Sequence, residues 1–281
     1  MRVGNLSGRA VLVLNTGAID VGEASGGQFG PSIAACYSDW VAFSKWASSA
    51  VDSPDFARPY DAAELQAPSP TPLQSFGIGM NYAGHAAEVG VPNPEFPPTF
   101  TKFPSCITGP YATVTLPSDG IDWEVELVVV IGRTAHNVTE SDAWSHIAGL
   151  TIGQDLSNRA VQLRPPVPQF SLGKSFPGFG PMGPWLVTPN EFNNPDDLAL
   201  SCTIDGEVMQ SSRTSDLIFS VPAIVEKLSA IVTLVPGDVI FTGTPAGVGA
   251  ARKPPRFLKP GEVLVSTIEG IGSIITNFVG A

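Results

Sequence analysis

Three cysteines in 281 residues leave little room for redox or zinc chemistry. Cys36, Cys106 and Cys202 are odd in number, far apart and outside any CxxC or Cys/His ligand spacing. They predict reduced thiols, not a disulfide framework or a zinc site. Positive charge is scarce as well: 15 Lys and Arg against 26 Asp and Glu give a formal net charge of -11. That works against nucleic acid or an anionic membrane as a partner, because both need a basic footprint. No run approaches the roughly 20 apolar residues required to span a bilayer. The apolar run in the opening MRVGNLSGRAVLVLN is too short for a signal peptide. A soluble cytoplasmic protein is the expectation.

What is abundant points to a folded, β-rich chain. Forty-three per cent of residues are hydrophobic and 15 per cent charged, which predicts a large core. Gly 29 and Pro 27 are high for a helical protein, and with many short Val/Ile runs they predict a mixed β-rich α+β fold with few helices. Ala10 to Leu14 and Ala18 to Val21 read as short strands, and a helix is expected near 38 to 50. The stretch VDSPDFARPYDAAELQAPSPTP, residues 51 to 72, reads as a linker or strap. This divides the chain into a small N-terminal unit with linker, 1 to 70, and a larger unit, 71 to 281. Thr139 caps an expected helix from about 140 to 148, and Leu150 to Gly153 reads as a buried strand. A second helix is expected from about 221 to 232, with Ser220 as cap and Ile224, Leu228 and Ile231 on one face. Residues 263 to 279 read as a terminal hairpin about Glu269 and Gly270.

The chemistry concentrates in a few places. In IDWEVELVVVIG, residues 121 to 132, Asp122, Glu124 and Glu126 alternate along a strand that continues as an apolar run. Carboxylates at i and i+2 sit roughly 6.5 Å apart on one face, close enough to converge on one hard cation. Asp155, at the end of the next expected strand, would be a third ligand, and oxygen-only ligation favours Mg²⁺ or Mn²⁺ over zinc. A solvated strand face would show the same alternation, and both readings stand at this point. His85 and Glu88 are i, i+3, so one helical turn could set a carboxylate against an imidazole that takes a proton. An ordinary surface histidine would show the same spacing. His136 and His146 lack comparable partners. Gly178, Gly180 and Gly183 satisfy GxGxxG, but Pro181 and Pro184 interrupt the motif, which speaks against dinucleotide binding. GTPAGVG, 243 to 249, lacks the P-loop ending; its amides and Thr244 could approach a carboxylate or carbonyl.

Read together, GIGMNYAGHAAE, DWEVELVVVIG, QDLSNRAVQ, GKSF, GPWLVT, SDLIFSV, LVPGDVIFTGTPAGVG and PPRFLKPGEV resemble the fumarylacetoacetate hydrolase family in order and spacing, over roughly residues 73 to 279. The resemblance implies a β-roll of several sheets with a mobile lid, here Ala83 to about Phe96, over the active site. It places a metal triad on Glu124, Glu126 and Asp155 and a water-activating dyad on His85 and Glu88. Lys174, as a catalytic cation, and Arg159, Gln162 and Thr244, as substrate-binding groups, follow in the same way. Asn158 and Ala160 depart from the Ala and Asp of many relatives. LRPPVPQFSL, 163 to 172, looks like a wall that would favour a bulkier or more apolar substrate.

The activity so implied is Mg²⁺-dependent hydrolysis of a carbon–carbon bond in a 1,3-diketo acid such as an acylpyruvate, with Mn²⁺ as an alternative ion and a homodimer as the assembly. Decarboxylation of an oxaloacetate-like β-keto acid, or isomerisation of an unsaturated keto-diacid, would use the same residues. A non-catalytic β-rich oligomer holding a structural ion is the rival from another class; it has no use for Lys174, Arg159 or the His85/Glu88 pair.

Overall fold

The structure, a computed structural model, describes residues 1–51 and 57–281. Its centre is the apolar run Val125–Ile131, a strand buried along its whole length. Pleating sends alternate side chains to opposite faces, and both faces are covered. Leu127, Val129 and Ile131 pack in one core with Ile152, Leu200, Ile204, Leu264 and Phe278. Val128 and Val130 pack in another with Val3, Leu12, Trp40, Phe43, Met182 and Phe241. Burying a side chain of this size contributes about 1.5–3 kcal/mol, so the strand is held on both sides.

This strand lies inside a large mixed sheet. The path runs Gly17–Asp20, Arg9–Leu14, Arg2–Leu6, Gly180–Val187, Ile147–Gln154, Val125–Ile131, Val239–Phe241, Ser75–Ile78 and Thr99–Thr101. The central pair is antiparallel, with Val125 opposite Gln154 and Leu127 opposite Ile152. A second sheet of Glu207–Arg213, Ala199–Ile204, Val263–Ile268, Gly272–Gly280 and Tyr111–Leu116 lies across the first core, and the expected terminal hairpin forms two of its strands. The fold is β-rich α+β with several sheets and few helices, as the sequence suggests.

The first 70 residues are continuous with this architecture. Arg2–Leu6 pairs with Gly180–Val187, and the helix Trp40–Ala50 lays Trp40 and Phe43 over Val128 and Val130. In the stretch 51 to 72, residues 52 to 56 lie outside the described residues, while Leu65–Gln66 pairs with Arg2–Leu6 as a short strand. The N-terminal unit therefore shares a sheet and a core with the rest.

Two helices differ from expectation. Glu140–His146 is a 3₁₀ segment because Thr139 spends its hydroxyl on the Ser141 and Asp142 side chains instead of capping a backbone N–H. The sheet then takes over at Ile147. The helix capped by Ser220 spans Val221–Ser229, so Ile231 lies beyond its end and is 71% exposed. Among the described residues no helix is long and apolar enough to cross a membrane. All three cysteines are free and buried.

Candidate active site

At the start of the central strand the ladder is interrupted. Ile121–Asp122 pairs with Ser157–Asn158, and Trp123 and Glu124 lie between that pair and Val125. Two buried glutamine amides satisfy the backbone there. The Glu124 N–H donates to Gln154 Oε1 at 2.9 Å, and the Val125 N–H to Gln210 Oε1 at 3.0 Å. This break turns Glu124 and Glu126 toward the end of the neighbouring strand, where the Asp155 N–H donates to the Glu124 carbonyl. One carboxylate oxygen from each of Glu124, Glu126 and Asp155 lies within 4.8 Å of the others, and all three residues are buried.

Three cations surround this acidic cluster. Lys174 Nζ donates to Glu124 Oε2 at 2.8 Å, Asp155 Oδ2 at 2.6 Å and Ser157 Oγ at 2.9 Å. Arg159 Nη2 bridges Asp122 and Glu124, 2.7 Å from each, and its Nη1 donates to Gln162 Oε1. Asn158 caps the one-turn helix Arg159–Gln162 by accepting from the Val161 N–H, which is how this departure from the family pattern reaches the site. Lys102 is the third cation. It is fully buried, and its Nζ donates to Asp155 Oδ1 at 2.6 Å and to the carbonyls of Lys174 and Phe179.

These partners give the carboxyls different acidities. Burial works to raise Glu124, but Lys174, Arg159 and His85 outweigh it and hold the group down to about 2. Burial, the Asp155 charge and the Glu124 charge all push Glu126 well above the ordinary carboxyl range. The Gly243 N–H donates to Glu126 Oε2 at 2.8 Å, from a backbone position at φ +104 that favours glycine. Its other oxygen has no donor among the described residues. A buried, oxygen-only set with one electrostatically frustrated member fits a hard divalent cation. While Glu126 keeps its proton, three ionised carboxylates, counting Asp122, balance three cations; a divalent ion that displaced the proton would leave one net positive charge.

The expected dyad joins this cluster. His85 lies on the helix Ala83–Val89 with Nδ1 3.1 Å from Glu88 Oε2, and Glu88 Oε1 accepts from the Gly247 N–H at 2.9 Å. Glu88 thus orients the ring and fastens the helix to the glycine-rich loop. His85, Glu124, Arg159, Gln162, Lys174 and Thr244 all line one cavity of about 40 Å³. The Thr244 hydroxyl donates to the Val125 carbonyl and accepts from Gln210 Nε2, so much of its capacity holds the loop in place. Elsewhere, His146 bonds the Thr134 carbonyl and His136 a surface network.

Sequence reasoning missed Lys102, the two glutamines and the role of Asp122. Asp122 shares no metal face; it accepts from Arg159 and from the Trp123, Gly249 and Ala250 N–H groups. A lysine in the proline-flanked, otherwise uncharged PPTFTKFP was the one available signal for Lys102.

Comparison with known proteins agrees with this architecture. Residues 74–279 match the fumarylacetoacetate (FAA) hydrolase C-terminal family. The chain is 44% identical over 223 residues to the mitochondrial oxaloacetate tautomerase FAHD2A of Bos taurus, covering 79% of this chain and 71% of that one. A crystal structure of a provisionally named HpcE protein from Mycobacterium smegmatis superposes over 100% of both chains with TM-score 0.93 and 50% identity. A maleylpyruvate hydrolase of Sphingobium sp. SYK-6, solved with manganese(II) and pyruvate, matches at TM-score 0.82 and 26% identity over 100% of both chains. The chain belongs to the fumarylacetoacetate hydrolase family.

Proposed function

We propose that this chain is a Mg²⁺- or Mn²⁺-dependent enzyme that moves a proton on an enolisable 2-oxo acid of the oxaloacetate class. The observation that carries the reading is the convergence of His85, Glu124, Arg159 and Lys174 on one small cavity. Similarity to an oxaloacetate tautomerase favours this over the carbon–carbon hydrolysis first drawn from the sequence. The homodimer implied by the family resemblance remains part of the reading.

Each step falls to a residue already placed. Arg159 and Lys174 bring positive charge to the cavity wall and the Gln162 amide brings a donor, a combination suited to a carboxylate. His85, with Nδ1 held by Glu88, takes the proton from the carbon between the two carbonyls and returns it to the enol oxygen. Lys174 sits where negative charge develops, and fixed positive charge in a dry cavity stabilises such an enolate. Held by Glu124, Glu126 and Asp155, the divalent ion would supply Lewis acidity to the same end. Water activated by His85 would instead hydrolyse an acylpyruvate; the same dyad and the likeness to a maleylpyruvate hydrolase support this second reading.

The test is to mix metal-loaded protein with oxaloacetate and follow enol absorbance, alongside pyruvate release and acylpyruvate cleavage. Enol–keto relaxation should accelerate, and chelator should abolish the effect. His85→Ala should slow it by about 100- to 10,000-fold while the metal-induced rise in melting temperature persists. Unchanged relaxation with acylpyruvate cleavage would transfer the assignment to the hydrolytic reading.

A further inference from the structure

We propose that Phe100 and Phe170 form an aromatic gate that restricts this site to 2-oxo acids of three or four carbons. The inference rests on the 2-oxo-acid reading above and adds the size of the substrate. Apart from its charged and polar groups, the cavity is walled by Ile78, Met80, Phe100 and Phe170. About 40 Å³ of it is open to the centres of water molecules, room for only a few waters at roughly 10–15 Å³ of such space each. A substrate with a carbon chain longer than a few atoms enters only by displacing part of that wall.

Ile78 is fully buried in the main core and cannot give way. Phe100 is held on three sides. Its ring occupies a slot over Gly77, where any Cβ would overlap it. Lys174 Nζ lies 5.1 Å from its centroid, and the Phe170 ring meets it edge-on at 5.7 Å. Phe170 is the yielding partner. It is half-buried and opens the one-turn helix Phe170–Gly173, directly after residues 163 to 169, all of them exposed. An entering carbon chain therefore pushes the Phe170 ring off Phe100, and each added methylene pushes it further.

The wall expected from LRPPVPQFSL thus acts in the opposite sense to the sequence reading. Leu163, Val167 and Leu172 point to solvent and do not line the cavity. Only Phe170 does, and its ring takes up volume that a bulkier substrate would need.

The experiment uses the full chain loaded with Mn²⁺ and measures calorimetric affinity for pyruvate, 2-oxobutyrate and 2-oxohexanoate. A methylene that fits poorly in a pocket changes selectivity by about 10- to 200-fold. Affinity of the parent should therefore fall at least about tenfold from pyruvate to 2-oxohexanoate. Phe170→Ala should erase that fall, and Phe170→Leu, a milder truncation, should reduce it. Equal affinities across the series in the parent, or an unchanged fall in both variants, would overturn the gate and leave the proton-transfer reading standing. Failure of every 2-oxo acid to bind the Mn²⁺-loaded parent would overturn both.

Discussion

Glu126→Gln is expected to abolish metal-dependent turnover while leaving the metal-free protein as stable as the parent or more so. Glu126 is buried beside the Asp155 and Glu124 charges, and among the described residues it is the one proposed ligand with an oxygen that lacks a donor. Lys174, Arg159 and Lys102 already compensate the other two. A neutral amide removes the repulsion and can still accept from the Gly243 N–H. Lewis-acid stabilisation is worth several kcal/mol, so turnover should drop by at least about 1000-fold. At a hundredfold excess over its dissociation constant the ion should stabilise the parent by about 2.7 kcal/mol, or roughly 5–8 °C in melting temperature. The variant should show no such shift. The pH dependence follows from the raised pKa of Glu126. Folded Glu126 keeps a proton that the unfolded chain has released, so metal-free stability falls as pH rises from the ordinary carboxyl range through the raised value. The ion displaces that proton, and its affinity rises over the same window. Glu126→Gln should flatten both slopes. A variant that still melts higher with Mg²⁺ or Mn²⁺ would remove Glu126 from the ligand set.

Strand pleating leaves a local, period-two signature, so the sequence could set Glu124 and Glu126 side by side and the apolar run behind them marked burial, while their reading as ligands came from the family resemblance. Helical spacing could likewise set His85 beside Glu88, while their reading as a dyad came from the same resemblance. Asp122 matches no ligand of the family and stands outside the acidic cluster, but reading it on the same face extends the strand period across Trp123, where the ladder breaks. The break is invisible locally because its repair comes from Gln154 and Gln210, 30 and 85 residues away. The strand at residues 10 to 14 could be read from its apolar run. Its place beside the strands that carry the candidate site could not, since that depends on Arg2–Leu6 pairing with Gly180–Val187. Thr139 shows the limit of cap motifs: the residue type was right, but its hydroxyl found side chains first.

Lys102→Met should be the most destabilising single change near the site, and it should make the protein lean more heavily on its metal. All three ammonium protons of Lys102 are committed: to Asp155 Oδ1 and to the Lys174 and Phe179 carbonyls. Burial works against its charge, yet Asp155 and Cys106 outweigh burial and raise its pKa, so the group stays cationic. Removing one partner of a buried ion pair typically costs about 3–5 kcal/mol, because the other charge is left without compensation. Methionine restores most of the volume and the contact with the Phe241 ring, where Lys102 Nζ lies 5.4 Å from the centroid, so the loss reports charge and hydrogen bonding more than packing. The unfolding midpoint in urea, measured with chelator present, should fall accordingly. A divalent ion would then meet one more uncompensated negative charge, and the metal-induced rise in melting temperature should exceed that of the parent. Turnover should fall even at saturating metal, since the Lys174 backbone loses its anchor, and a misplacement of about 1 Å can cost about 100-fold. The double variant Lys102→Met/Asp155→Asn should recover part of the stability without recovering activity, because it removes the orphaned charge along with a proposed ligand. An unchanged urea midpoint for Lys102→Met would show that Lys174 alone suffices to hold Asp155.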